Sequence, residues 1–263
     1  MLREITLGQY YPAGSILHRL DPRVKLIGTF LFIISMFMFE TLPGYVFAAA
    51  FLAAVIYLSG VPFSFMVKGL KAVVILMLIT VVFDIFLTPG EPLFSFYGIT
   101  ATKEGVELSV KMVIRLSFLI LGSSVMTLTT TPNELTDGLE KLLSFLRIFK
   151  VPVHEIAMMM SIALTFIPIL TEEADRIMKA QMARGADFEN GGLIKRVKAL
   201  VPVMVPLFVS AFRRAGELAL AMEARCYRGG SGRTRMKPLV YKRRDRLAYV
   251  ILLAYLVIAV IIA

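Results

Sequence analysis

The sequence predicts an all-α integral membrane protein with about five transmembrane helices plus a cytosolic or interfacial helical domain containing two long helices. Hydrophobic residues make up 57% of the 263 residues, whereas soluble domains are about 45–50% apolar. The mean hydropathy of +0.76 supports the same class. The apolar residues are gathered into separate runs, and one long polar stretch interrupts them.

Five apolar runs have the length of membrane-spanning helices, which need about 20 residues, or fewer where flanking side chains snorkel. The turn signal Thr-Leu-Pro-Gly at 41–44 makes the first two runs a helical hairpin, with a re-entrant pair as the alternative. Asp21 is placed to cap the first helix and Pro22 to occupy its first position. The five predicted spans are 24–40, 45–59, 72–88, 106–130 and 247–263.

The basic residues predict the orientation. Most of the 29 Lys and Arg residues lie between Thr131 and Arg246, whereas the loops 40–44 and 89–104 carry almost none. Because loops rich in Lys and Arg stay in the cytosol, the N-terminus and the long polar stretch are predicted to be cytosolic. The net charge of +10 reflects this bias, so the expected partner is the lipid bilayer and no nucleic acid.

The polar stretch divides the chain into three parts. Residues 1–131 hold the first four spans, residues 132–244 form the polar domain of three helices, and residues 245–263 hold the last span. The first polar helix is predicted to begin near Pro132, with Glu134 at its positive end.

The other two helices of the polar domain are long, and each is apolar in one half and charged in the other. They are predicted to run from about 153 to 184 and from about 193 to 225, with internal prolines that indicate kinks. In the charged half of the first, Glu172, Glu173 and Asp175 are expected to pair with basic residues one turn further along the same helix.

No catalytic arrangement is evident in the sequence. His18 and His154 are far apart and have no partners at metal-ligand spacing, and no phosphate-binding loop motif occurs. We therefore expect a non-enzymatic chain without a cofactor or metal. Two charges inside the spans, Asp84 and Arg115, have two interpretations: they pair or line a path, or they reach the headgroups and snorkel.

The strongest candidates for a functional site are two Ala-Arg-small triplets, each at the predicted end of a long polar-domain helix. A cation is favoured at a helix C-terminus, a glycine after it suits a left-handed cap, and Gly229 with Gly230 is predicted to end the second helix. The planar fork of arginine suits a carboxylate on a partner, and ordinary capping by a solvated arginine is the alternative. The six residues are Ala183, Arg184, Gly185, Ala224, Arg225 and Cys226.

Four segments of the chain resemble a known family. They read G-Q-Y-Y-P-A-G-S-I-L-H-R-L-D-P-R-V-K-L (Gly8 to Leu26), T-T-P-N-E-L-T-D-G-L-E-K-L-L (Thr130 to Leu143), I-A-L-T-F-I-P-I-L-T-E-E-A-D-R-I-M-K-A-Q-M-A-R-G (Ile162 to Gly185) and R-R-A-G-E-L-A-L-A-M-E-A-R-C-Y-R-G-G (Arg213 to Gly230). Together they resemble the transmembrane T component, EcfT, of energy-coupling factor transporters, which are ATP-driven importers of vitamins and metal ions. The last two segments are similar to the coupling helices of that family.

The resemblance implies a scaffold and coupling subunit in the cell membrane of a prokaryote. Its implied partners are two cytosolic ABC-type ATPase subunits, which hydrolyse the ATP, and a membrane-embedded S component, which binds the substrate. The polar domain would be a coupling domain, with Arg184 and Arg225 docked in grooves of the ATPases. The first triplet matches the Ala-Arg-Gly pattern of the family, whereas Cys226 replaces the glycine of the second.

Two alternative functions have sequence requirements of their own. A self-sufficient secondary transporter or channel would use Asp84 and Arg115 and treat the cytosolic helices as a gate. A membrane-bound enzyme would need clustered carboxylates, a nucleophile–base pair or metal ligands, which the sequence does not provide.

Overall fold

The computed structural model describes residues 10–96, 99–186, 188, 192–230, 236 and 238–262. Gly8 and Gln9 of the first family-like segment and Ala263 of the last predicted span lie outside these residues. Within the described ranges the chain forms eight α-helices, one 3-10 helix and two strands. They are α1 Pro22–Met38, α2 Leu42–Ser59, α3 Phe63–Leu87, β1 Pro92–Phe96, β2 Ile99–Thr102, α4 Lys103–Thr129, α5 Pro132–Leu142, the 3-10 helix Leu143–Phe149, α6 Val153–Ala183, α7 Leu193–Ala224 and α8 Arg243–Ile262.

The all-α class of membrane protein is confirmed, with a short hairpin added to it. In this hairpin β1 and β2 pair antiparallel between α3 and α4, with Phe96 opposite Ile99. The sequence does not predict the hairpin, because Pro89, Gly90 and Pro92 together indicate a loop.

Five helices in the described ranges are long and apolar enough to cross a membrane, but the set differs from the predicted one. They are α2, α4, α6, the Lys198–Ala224 part of α7, and α8. Helix α1 has 17 residues, fewer than the 20 or so that a span needs. Helix α3 bends by 56° between Phe63–Lys71 and Val73–Leu87, and these two parts together pass the same criterion, as one broken span or as a re-entrant loop. The apolar halves of α6 and α7, assigned from the sequence to the polar domain, therefore have the length and composition of spans.

Two compact units make up the chain. Among the described residues, the helical-hairpin unit comprises those within 143–237, and the bundle unit comprises those within 10–142 and 238–262. The sequence-based division at residues 132–244 stays a prediction.

Helix starts in the bundle unit follow the sequence closely. The Asp21 carboxylate accepts a hydrogen bond from the Arg23 backbone amide at 2.9 Å, and Pro22 occupies the first helical position, as predicted for α1. At α5, the Thr131 hydroxyl accepts from the Glu134 amide while the Glu134 carboxylate accepts from the Thr131 amide, each at 3.3 Å. This reciprocal capping box fixes where α5 begins.

The core of the bundle unit forms where α1, α2, α4 and α8 meet. The Tyr255 ring of α8 stacks on Phe51 of α2 with centroids 4.1 Å apart, and its hydroxyl hydrogen-bonds the Ser35 hydroxyl of α1 at 2.7 Å. A Cβ at Gly122 of α4 would lie 2.8 Å from the Phe32 ring, so glycine permits this close approach. Because lipid tails are as apolar as these side chains, close packing and internal hydrogen bonds hold such helices together.

A buried polar cluster joins the start of α1 to the start of α8. Asp245 is 1% exposed and accepts hydrogen bonds from the backbone amides of Asp21, at 2.9 Å, and Lys242, at 2.7 Å. The Arg23 guanidinium pairs with the Asp21 carboxylate at 2.9 Å and lies 3.8 Å from the centroid of the Tyr241 ring. Residues more than 200 positions apart are thus tied together at one end of the bundle unit.

Removing the Asp245 carboxylate should destabilise the bundle unit. Asp245→Ala leaves the buried Asp21 amide and the part-buried Lys242 amide without an acceptor, so we expect a loss of about 3 kcal/mol in the free energy of unfolding. Asp245→Asn keeps one acceptor oxygen and should lose less than half of that. Denaturant titration of the detergent-solubilised chain measures both, and equal stability of Asp245→Ala and the native chain would contradict the assigned role.

The same cluster predicts an acid dependence of stability. Burial alone would raise the pKa of Asp21, but the hydrogen bonds and charge of Arg23 outweigh burial and lower that pKa below its ordinary 3.8. The stabilisation from the ionised carboxylate is therefore full above pH 3.8 and is lost as the pH falls through the lower, folded-state value. Unfolding midpoints measured from about pH 6 to pH 3 should show an acid slope that is smaller in Asp21→Asn.

Candidate docking site at two helix ends

The six candidate residues lie at the ends of α6 and α7, the two long helices of the helical-hairpin unit. These helices have 31 and 32 residues and agree with the predicted bounds to within a residue or so. At a rise of about 1.5 Å per residue, each is more than 45 Å long. Both helices continue through their internal prolines, which are Pro168, Pro202 and Pro206.

The end of α6 is closed by a hydrogen-bonded turn around a glycine. Arg184 is the C-cap residue, and Gly185 after it is left-handed with φ of +90°. The Gly185 amide donates to the Met182 carbonyl at 2.9 Å, and the Ala186 amide donates to the Gln181 carbonyl at 3.0 Å. These two bonds define a Schellman motif, which satisfies carbonyl groups that the helix leaves open.

The end of α7 has the same hydrogen bonds around a cysteine. Arg225 is the C-cap residue, and Cys226 is left-handed with φ of +57°. The Cys226 amide donates to the Glu223 carbonyl at 2.8 Å, and the Tyr227 amide donates to the Met222 carbonyl at 3.0 Å. The two triplets therefore share one backbone geometry, although only the first contains glycine.

The residue that adopts left-handed backbone at the end of α7 is not the one expected from the sequence. Gly229 and Gly230 are predicted to end the second helix, because glycine adopts left-handed backbone without strain. In the structure Cys226 already ends it, three residues earlier. The capping hydrogen bonds impose this conformation, which normally costs a residue with a side chain about 1–2 kcal/mol.

All six candidate residues are exposed: Ala183, Arg184, Gly185, Ala224, Arg225 and Cys226. In the described part of the chain neither arginine of the triplets forms an ion pair, and a Cβ at Gly185 would meet no atom within 4 Å. Each end thus presents a free guanidinium fork next to small residues, an arrangement that can bind a carboxylate in a groove.

The packing of α6 on α7 determines how far apart the two ends lie. The side-chain amide of Gln181 donates to the Pro202 carbonyl at 3.4 Å, and Arg214 pairs with Glu173 at 3.2 Å. The contact residue nearer the start of α6, Glu173, meets the residue nearer the end of α7, Arg214. The two helices are therefore antiparallel.

This arrangement places the arginines at opposite ends of the helix pair. Arg184 follows Gln181 by three residues and so lies near Pro202, whereas Arg225 lies 23 residues further along α7. At a rise of about 1.5 Å per residue, the separation is about 35 Å. A single groove of ordinary width therefore does not reach both arginines.

The two charges inside the predicted spans do not pair. Arg115 donates hydrogen bonds to the Phe39 carbonyl, at 3.2 Å, and to the Tyr45 hydroxyl, at 3.1 Å. It thereby joins α4 to the turn between α1 and α2. Asp84 is half-buried on α3, and one of its carboxylate oxygens has no hydrogen-bond partner among the described residues. Arg115 therefore has a structural role that neither interpretation from the sequence included.

Comparisons with known proteins identify the family of the chain. The family model described as cobalt transport protein, CbiQ, matches residues 13–237. A relative from Clostridium kluyveri, named energy-coupling factor transporter transmembrane protein EcfT, is 51% identical over 99% of this chain and 97% of its own length. The chain belongs to the EcfT family. Relatives of the same name from Thermosediminibacter oceani and Bacillus subtilis are 50% and 49% identical, over 95% and 93% of this chain and 94% and 93% of their own lengths.

EcfT membership confirms the resemblance inferred from the four segments. The matched region contains both candidate triplets, and the relatives cover nearly the whole chain. Together with the five long apolar helices, membership makes this chain a multi-pass membrane protein of a bacterium.

Cys226→Gly should stabilise the end of α7, because glycine adopts the left-handed conformation without the Cβ clash. We expect a gain of about 1 kcal/mol in the free energy of unfolding. Gly185→Val is the reciprocal change at the matching position of α6 and should lose about as much or more. Denaturant titration of the helical-hairpin unit within the full chain, followed by circular dichroism, measures both. A loss of stability in Cys226→Gly would contradict the strain argument.

Proposed function

We propose that this EcfT-family chain is the scaffold and coupling subunit of an ECF-type ABC importer. It transmits ATP-driven motion of two ATPase subunits to a substrate-binding S component, for uptake of a vitamin or another micronutrient. The observation that carries the proposal is the pair of exposed arginines held in matching backbone geometry at the ends of α6 and α7. The names of the relatives support a place in an energy-coupling factor transporter.

The chemistry of the two ends suits a docking role. An arginine fork binds a carboxylate through two parallel hydrogen bonds, and such contacts are strongest when the partner excludes water. The Schellman turn positions each guanidinium at the end of a long helix, and the small neighbours leave room for the wall of a groove. The negative end of the helix dipole further favours a cation there.

The separation of the ends favours two partner subunits. Two grooves about 35 Å apart are needed to hold Arg184 and Arg225 at the same time. A pair of ATPase subunits supplies one groove each, and closure of that pair on ATP changes the distance or angle between the grooves. A helix pair that is anchored at both of its ends must then move with the grooves.

Docking by cytosolic ATPases also defines the orientation. In this proposal the C-terminal ends of α6 and α7 both face the cytosol, so the antiparallel pair lies along the membrane surface instead of crossing the bilayer, although both helices are long and apolar enough to cross it. The N-terminus is on the same side, in agreement with the bias of basic residues. The alternative of a self-sufficient secondary transporter or channel relies on Asp84 and Arg115 as a functional pair. The engagement of Arg115 with Phe39 and Tyr45 weakens that alternative.

Reversing both arginine charges should abolish binding of the ATPases. In Arg184→Glu with Arg225→Glu, each carboxylate would face the acceptor groups that suit a guanidinium, so we expect no co-purification of ATPase subunits. Each single change should weaken binding by about 2 kcal/mol or more, roughly thirtyfold in affinity. Affinity purification from membranes that contain the complete transporter measures the yield of ATPase per chain.

The matched control reverses two exposed arginines within the same helices. Arg176→Glu with Arg213→Glu makes the same change in net charge but leaves both helix ends intact. The control should retain the ATPases. Equal yields of ATPase from the two double variants would refute docking through the helix ends.

A further inference from the structure

An ion pair joins α6 and α7 between their two ends. The Arg214 Nη2 atom lies 3.2 Å from the Glu173 Oε2 atom, with 33% and 24% of the respective side chains exposed. The Arg214 Nε atom is buried and has no hydrogen-bond partner among the described residues. The pairing corrects the expectation that Glu173 binds a basic residue one turn further along its own helix.

The ion pair lies equally far, counted in residues, from the C-terminal arginine of each helix. Glu173 precedes Arg184 by eleven residues, and Arg214 precedes Arg225 by eleven residues. Eleven helical residues correspond to about three turns and about 16 Å. The ion pair therefore lies at the same distance along each helix from the arginine at its end.

We propose that Glu173 and Arg214 are a positioning pair that fixes the geometry of α6 relative to α7, and so holds Arg184 and Arg225 at the spacing of the two ATPase grooves. The role in coupling rests on the proposed function. Because the two arms are equal, rotation of one helix on the other about this contact moves both ends by equal amounts. Two identical grooves can then act on both ends alike.

The physical basis is the half-buried setting of the pair. Two hydrogen-bonding charges with most of their surface removed from water attract more strongly than an exposed pair. Removing Glu173 would leave a largely buried guanidinium without its counter-charge. The other contact between the helices described above, Gln181 to the Pro202 carbonyl, is longer, at 3.4 Å, and uncharged.

The chain supplies a matched control for each partner. Glu172 precedes Glu173 and is exposed, and Arg213 precedes Arg214 and is exposed. Glu172→Arg and Arg213→Glu repeat the charge changes of Glu173→Arg and Arg214→Glu one residue away. Effects of net charge or helix propensity will appear in the controls, whereas effects of the pair will not.

The geometric test measures the distance between the helix ends in the full chain, reconstituted in lipid nanodiscs without ATPases. Spin labels are attached to the exposed native Cys226 and to a cysteine introduced by Ala183→Cys, and their separation is measured by double electron–electron resonance. Glu173→Arg and Arg214→Glu should each broaden or shift the distribution, because like charges then face each other. The double exchange Glu173→Arg with Arg214→Glu should restore it, and both controls should leave it unchanged. An unchanged distribution in both single variants, or no recovery in the double exchange, overturns the proposal.

The functional test uses unlabelled chains in the complete transporter. Each single variant should retain its ATPases but lose about tenfold in uptake per ATP hydrolysed, with recovery in the double exchange. The role in coupling is overturned if uptake per ATP is unchanged in the single variants or does not recover in the double exchange. The distance measurement needs no ATPase, so its outcome is separate from that of the test of docking through Arg184 and Arg225.

Discussion

The ends of α6 and α7 depend on one constraint: the last carbonyl groups of a helix must find hydrogen-bond donors. In both helices the donors are the next two amides, which reach back only if the residue after the C-cap adopts left-handed backbone. That turn stops the helix directly after the arginine and leaves the guanidinium exposed. The proposed docking chemistry therefore follows from how the backbone is closed.

In the bundle unit, charged side chains also need hydrogen-bond or ion-pair partners. Charged groups in a membrane protein are costly unless they are paired or hydrogen-bonded, and those near the start of α1 are engaged. Asp245 accepts from two amides, Arg23 pairs with Asp21, and the Lys25 ammonium donates to the Thr129 carbonyl at 2.7 Å. These bonds connect α1 to the start of α8 and to the end of α4. Further along, Arg115 connects α4 to the turn between α1 and α2.

The matching ends of α6 and α7 link the EcfT family to the proposed docking role. One backbone geometry repeated in two antiparallel helices presents the same chemical group twice, at points about 35 Å apart. A pair of similar partner subunits can bind one copy of this group each. The difference between Gly185 and Cys226 changes the strain at one end and leaves its hydrogen bonds in place.

Local features were predictable because local residues determine them. Apolar runs indicated most of the long membrane helices, Asp21 and Pro22 indicated the start of α1, and the triplets indicated both helix ends. Long-range contacts were not predictable, because spacing along the chain does not specify which distant groups meet. Asp21 with Asp245 and Glu173 with Arg214 are such contacts, and tertiary structure also gave Cys226 a conformation that its residue type disfavours. The sequence by itself determined the membrane class, the helices and the candidate arginines. Only the tertiary structure decided the partners of the buried charges and the separation of the arginines, since both depend on how the helices pack.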